Sequence, residues 1–148
     1  MTRTAAREIA MHFSFSVPYT DMSARELLEQ RFSPDYYPTL AQEYELYAQY
    51  PEENNMEYIR DVVSGIVEHA YELDSYIEKY SRGWRFERIS RTAQAIMRLA
   101  MYEIMYMPSI PDGASVNEAV ELAKKYEEQD VASFVNGILG SFVRGEKK

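Results

Sequence analysis

Apolar residues in this chain recur every three or four positions and almost never alternate. That period marks one buried face on a helix, and the lack of strict alternation argues against half-buried strands. Ala6, Ile9, Ala10, Phe13 and Val17 line a first helix, which Pro18 ends or kinks. A short helix is expected over Ala24 to Arg31, and Phe32 to Pro38 reads as a turn. A tyrosine-rich segment then runs to Pro51 without a clear period. Ile59, Val62, Val63, Ile66, Val67 and Ala70 form an amphipathic stripe, continued by Tyr71 to Tyr80 and stopped near Gly83. Ile89, Ala93, Ile96, Met97, Ala100 and Ile104 give the next face, which ends before Pro108.

Two helix starts are expected further on. Ser115-Val116-Asn117-Glu118 has the form of a capping box, in which serine and glutamate satisfy free amides at a helix start. That helix runs to about Glu127. Asp130 suits the N-cap of a last helix, whose face is Val131, Phe134, Val135, Ile138, Leu139 and Phe142. Asn136 and Gly137 are poor helix residues, and close packing around the glycine with a buried amide hydrogen bond would explain them. The expected fold is all-α, one domain of about seven helices.

Composition narrows the function. The 148 residues suit a single domain, and 46% hydrophobic residues exclude a disordered tail. No stretch approaches the roughly 18 apolar residues of a membrane span. The charged start, Met1 to Glu8, lacks the apolar run of a signal peptide. There is no cysteine, which excludes disulfides and thiolate metal sites and suits a cytoplasmic protein. The net charge of −8 argues against indiscriminate nucleic-acid binding, but it is unevenly spread. Residues 21–58 carry −7, whereas 82–98 carry +4 and each end carries +1. A polyanion should meet the ends or the central arginines and avoid 21–58.

A catalytic constellation is not visible. His12 and His69 are isolated, and neither H-E-x-x-H nor a glycine-rich phosphate loop occurs. Glu52-Glu53 and Glu127-Glu128 read as solvated helix faces. No catalytic residue, metal ligand or cofactor is expected.

Three segments carry recognisable motifs. Ala6-Arg7-Glu8-Ile9-Ala10, with Phe13 and Phe15, makes a basic, alanine-rich opening. Trp84-Arg85-Phe86-Glu87-Arg88-Ile89 leads into Ile96-Met97-Arg98-Leu99-Ala100-Met101-Tyr102-Glu103, resembling W-x-[LF]-x-R-[IL] and I-L-R-L-A-x-Y-E. Val116 to Tyr126 and Phe134-Val135-Asn136-Gly137-Ile138-Leu139 resemble I-N-E-A-V-E-L-A-K-x-[YF] and F-V-N-G-[VI]-L. Together, in this order, they resemble the NusB family of transcription antitermination factors. The acidic, tyrosine-rich residues 34–57 contribute nothing to the likeness. The resemblance implies two helical subbundles, binding of boxA-type single-stranded RNA from ribosomal RNA leaders, a heterodimer with the ribosomal protein NusE, and action on the transcription elongation complex. Some members self-associate, so a homodimer stays open.

Individual residues carry two readings. Arg3 and Arg7 can clamp phosphates or be solvated surface cations, and the resemblance favours RNA. Thr4 and Ala5 stand where the family often has arginines, which thins the cluster. Phe15 can stack on a base or sit in the core. Asp130 can cap its helix or accept hydrogen bonds from base or ribose, and Phe134, one turn on, can be core or RNA contact. Arg82, Arg85, Arg88 and Arg91 read as a solvated face or as partners of the acidic segment more than as RNA ligands. Two rivals remain. One is a protein-interaction domain with weak or no RNA binding. The other is a detached domain of an rRNA cytosine methyltransferase, which would require a piece of a longer chain.

Overall fold

The structure, a computed structural model, describes residues 1–147. Among them are eight α-helices and no strand: α1 Arg3–Ser16, α2 Ala24–Arg31, α3 Tyr37–Leu40, α4 Glu53–Glu68, α5 Ala70–Tyr80, α6 Arg91–Tyr106, α7 Asp112–Tyr126 and α8 Gln129–Glu146. The all-α expectation holds, with α3 as the helix beyond the expected seven. The chain divides into two compact units, Met1–Val67 and Glu68–Lys148.

In the first unit, Thr2 caps α1 by accepting from the Ala5 amide at 3.0 Å. Ala6, Ile9, Ala10 and Phe13 are buried as the period predicts. Pro18 lies in a 3₁₀ turn, Val17–Tyr19, just past the helix end. A reciprocal capping box opens α2: the Glu26 amide donates to Ser23 Oγ at 3.1 Å, and the Ser23 amide to Glu26 Oε1 at 2.9 Å. Those bonds to the charged form hold the Glu26 carboxyl below its ordinary range.

The aperiodic tyrosine segment closes an aromatic core. Phe13 meets Phe32 edge-on at 5.4 Å and lies parallel to Tyr47 at 6.1 Å. Tyr37 meets Tyr47 edge-on at 5.5 Å and Tyr50 at 5.0 Å, both favoured geometries for ring quadrupoles. The polar tips are satisfied, since Tyr37 donates to the Gln49 carbonyl and Tyr50 to the Phe32 carbonyl, each at 2.8 Å. Burial, with a smaller contribution from Tyr50, pushes the Tyr37 phenol up to about 12. His12 joins this cluster through a 2.7 Å hydrogen bond between its Nδ1 and the Tyr47 hydroxyl.

The second unit is organised around α6, which touches α5, α7 and α8. Buried residues fall on nearly every side of it, from Ala93 through Ile104. The expected capping box at Ser115 is not formed. Pro111 precedes α7, the helix begins at Asp112, and Ser115 therefore lies inside its first turns. Its hydroxyl turns inward and donates to Glu103 Oε1 at 2.7 Å, giving the fully buried carboxylate a partner. An unpaired buried polar group is costly, so this bond outweighs a cap that the helix does not need there. Asp130 is likewise not the N-cap: α8 starts at Gln129 after Glu128, and Asp130 occupies its first turn. Asn136 and Gly137 are exposed rather than packed, and a Cβ added at Gly137 would meet nothing within 4 Å.

Candidate nucleic-acid interface

The two N-terminal arginines are folded inward. One helical turn apart on α1, they share the ring of Tyr58 from α4: the Arg3 guanidinium lies 4.4 Å from its centroid and that of Arg7 5.9 Å. Arg3 Nε also donates to Asn55 Oδ1 at 3.0 Å, while Asn55 donates to the Met1 carbonyl at 2.9 Å. Glu52, bonded to the chain-start ammonium and to Asn55, is held below the ordinary carboxylate range. Arg3 keeps a partly exposed edge, but Arg7 is only 6% exposed. The expectation of Arg7 as a solvated surface cation is therefore corrected, and as it is folded here its guanidinium is not open to solvent for a phosphate. Tyr58 draws the side chain onto the α4 face, because a flat guanidinium covers an aromatic ring and is only weakly hydrated itself.

At the other end of α1, Phe15 is half-buried with its ring 5.6 Å from Tyr19. Tyr19, missed as a candidate, is 56% exposed. The pair forms a small aromatic shelf in the first unit.

The second unit has its own pair. Phe134 of α8 is half-buried and lies 5.0 Å from Trp84, whose indole is 58% exposed. Asp130 is exposed, with Oδ1 accepting from the Val131 amide at 3.0 Å. Trp84 stands on the segment between α5 and α6, which is irregular apart from a 3₁₀ turn at Phe86–Arg88. Gly83, at φ +78°, takes the left-handed conformation that lets the chain turn there. Both ends of the segment are pinned. Ser81 donates to the Glu78 and Trp84 carbonyls at 3.3 and 3.4 Å, and buried Gln94 donates to those of Phe86 and Ile89 at 3.1 and 2.9 Å. Gln94 thus shapes this turn from behind. Arg98 is neutralised by a bidentate pair with Asp74 at 2.6 and 3.2 Å. Arg82, Arg85, Arg88 and Arg91 are all exposed, as a solvated face requires.

No group of three or more potential metal ligands occurs among the described residues, and no described helix is long and apolar enough to cross a membrane. What the described residues offer is surface: two aromatic pairs, with guanidinium groups on α1 and on the pinned segment between α5 and α6. That is the build of an all-helical binding module.

Residues 4–144 match the NusB family. The transcription antitermination protein NusB of Acetivibrio thermocellus is 42% identical over 144 residues, which cover 97% of this chain and 90% of that protein. A solved structure of T. maritima NusB has a TM-score of 0.78 at 26% identity, covering 97% of this chain and 92% of that one. The fold is shared also with a structure of the antitermination factors NusB and NusE in complex with double-stranded RNA, at TM-score 0.75 and 24% identity over 97% of this chain and 96% of that one. The chain belongs to the NusB family of transcription antitermination proteins. Sequence motifs were enough to reach the family, whereas Tyr19 and Trp84 became candidates only once their exposure was known.

Proposed function

We propose that this protein is a cytoplasmic, non-enzymatic adaptor that binds boxA-type RNA of ribosomal RNA leaders together with NusE. In that role it keeps the elongation complex processive through rRNA operons. The observation that carries this reading is the family match across residues 4–144, supported by a structural relative solved with NusE and RNA. The first unit contributes Arg3 and Phe15 to RNA, with Arg7 backing Arg3 from its buried position on Tyr58. The second contributes Asp130, as a hydrogen-bond acceptor for base or ribose, and Phe134, as a stacking ring.

Binding is shared between protein and partner. On a chain of net −8, an N-terminal cluster with one partly exposed arginine has little charge at that end with which to hold phosphates alone. Titrating boxA-type RNA at fixed salt, with and without a NusE homologue, tests this. Weak binding alone and tighter binding with the partner is expected. Equal affinity in both arms refutes the shared site, and no binding in either favours a protein-interaction domain. A homodimer would show as a doubled mass in sedimentation of the free protein.

A further inference from the structure

We propose that Trp84 is a stacking residue for an unpaired base, with Arg82 and Arg85 holding the phosphates on either side. This rests on the RNA-binding reading above and adds to it a contact surface on the α5–α6 segment. Trp84 is the only tryptophan in the chain, and it is more exposed than covered. Its ring lies 5.0 Å from that of Phe134, tilted by 56°, so it is supported on a neighbouring ring while more than half of the residue stays open to solvent. Two shallow hollows adjoin it. One is lined by Gly83, Trp84, Arg85 and Arg88, and the other has Arg82, Trp84, Phe134 and Gly137 among its walls. At about 330 and 250 Å³ they are at or below the lower end for a drug-sized ligand, and they suit a flat ring laid on a shelf.

Charge chooses the occupant. Arg82, Arg85 and Arg88 have no ion-pair partner among the described residues, although the chain carries 24 acidic groups. By contrast Arg98, on the neighbouring helix, is paired with Asp74. Free guanidinium groups around an exposed indole are the elements of a single-strand site: cations track the backbone and an aromatic face takes a base regardless of sequence. Ser81 and Gln94 pin the segment by hydrogen bonds, so the shelf is formed before anything binds. Gly137 fits the same picture. It has no side chain, and a methyl group placed there would meet no neighbour within 4 Å, so the floor beside Phe134 is open.

A lone tryptophan makes the test direct, because the protein's indole fluorescence reports this position alone. With the NusE homologue present, unlabelled single-stranded boxA-type RNA should quench it along the same curve that anisotropy of labelled RNA gives for binding. An abasic strand of equal length should not quench. Trp84→Ala should weaken binding about fivefold or more, and Trp84→Phe, which keeps a ring against Phe134, should retain most of the affinity. If RNA binds without quenching and Trp84→Ala binds like the parent, the stacking role is overturned while the RNA-binding reading stands. Absence of binding in every arm overturns both. Quenching by the NusE homologue without RNA would place protein on this shelf and also overturn the proposal.

Discussion

The protein has two groups of arginines, and they live in opposite environments. Arg3 and Arg7 are stacked on Tyr58, and Arg3 is tied to Asn55, so much of their charge is already committed within the first unit. Arg82, Arg85 and Arg88 stand in water around an exposed ring, and no acid among the described residues pairs with them. The difference lies in what each arginine finds within reach rather than in arginine density. On α1 an aromatic ring and an amide from α4 compete with any ligand. On the α5–α6 segment, Ser81 and Gln94 satisfy the backbone and leave the guanidinium groups unused. A cation that the fold has engaged contributes to stability, whereas one left in solvent is available to a ligand.

The largest test of that contrast is Tyr58→Ala. Tyr58 is buried, and its loss removes both a core ring and the platform under two cations. Aromatic truncations of this kind cost about 3–5 kcal/mol. Urea unfolding should show stability falling by that amount through a lower midpoint at an unchanged slope. A loss below about 1 kcal/mol would mean the arginines are not held by the ring. Arg7→Ala should come next, at roughly 1–3 kcal/mol, because the side chain is buried and partnered rather than solvated. A loss within about 0.5 kcal/mol, the nearly neutral range for a surface residue, would restore Arg7 as a free arm.

The periodic helices were legible from residue pattern alone, since a 3.6-residue stripe has one physical meaning. What was not legible depended on partners distant in sequence. The pattern S-x-x-E stands near an expected helix start at Ser23–Glu26 and at Ser115–Glu118, and only the first is a capping box. The four residues alone do not separate them: α7 has already begun at Asp112, and the buried Glu103 carboxylate claims the Ser115 hydroxyl. The tyrosine-rich segment had no period to read, since its rings are ordered by Phe13 and Phe32 rather than by a helix face. Gly137 misleads in the same way, suggesting a packing contact where the structure has open space. For the candidate site, Phe15 and Phe134 were singled out from motifs, whereas Tyr19 lay outside them and Trp84, although it opens one, was not singled out as a contact residue. Exposure of an aromatic ring is a tertiary fact, and sequence carries no signal for it.

The smallest expected change in stability is also the sharpest comparison. Arg85→Gln removes one charge from a side chain with no ion pair among the described residues, so folding stability should shift by no more than about 0.5 kcal/mol. Its effect should appear in the salt dependence of RNA binding instead. Each phosphate contact on a single strand contributes about 0.7 to the slope of log affinity against log salt, so this variant should flatten the slope by about that much. Arg7→Ala should flatten it less, because that guanidinium is buried behind Arg3, and it should unfold more easily. The two variants therefore trade places between the measurements: one moves stability and spares the slope, the other moves the slope and spares stability. If Arg7→Ala changes the slope more than Arg85→Gln, the buried arginine is the phosphate ligand after all. The first unit would then have to open its Tyr58 contact to bind RNA, and the division between engaged and available cations would not hold.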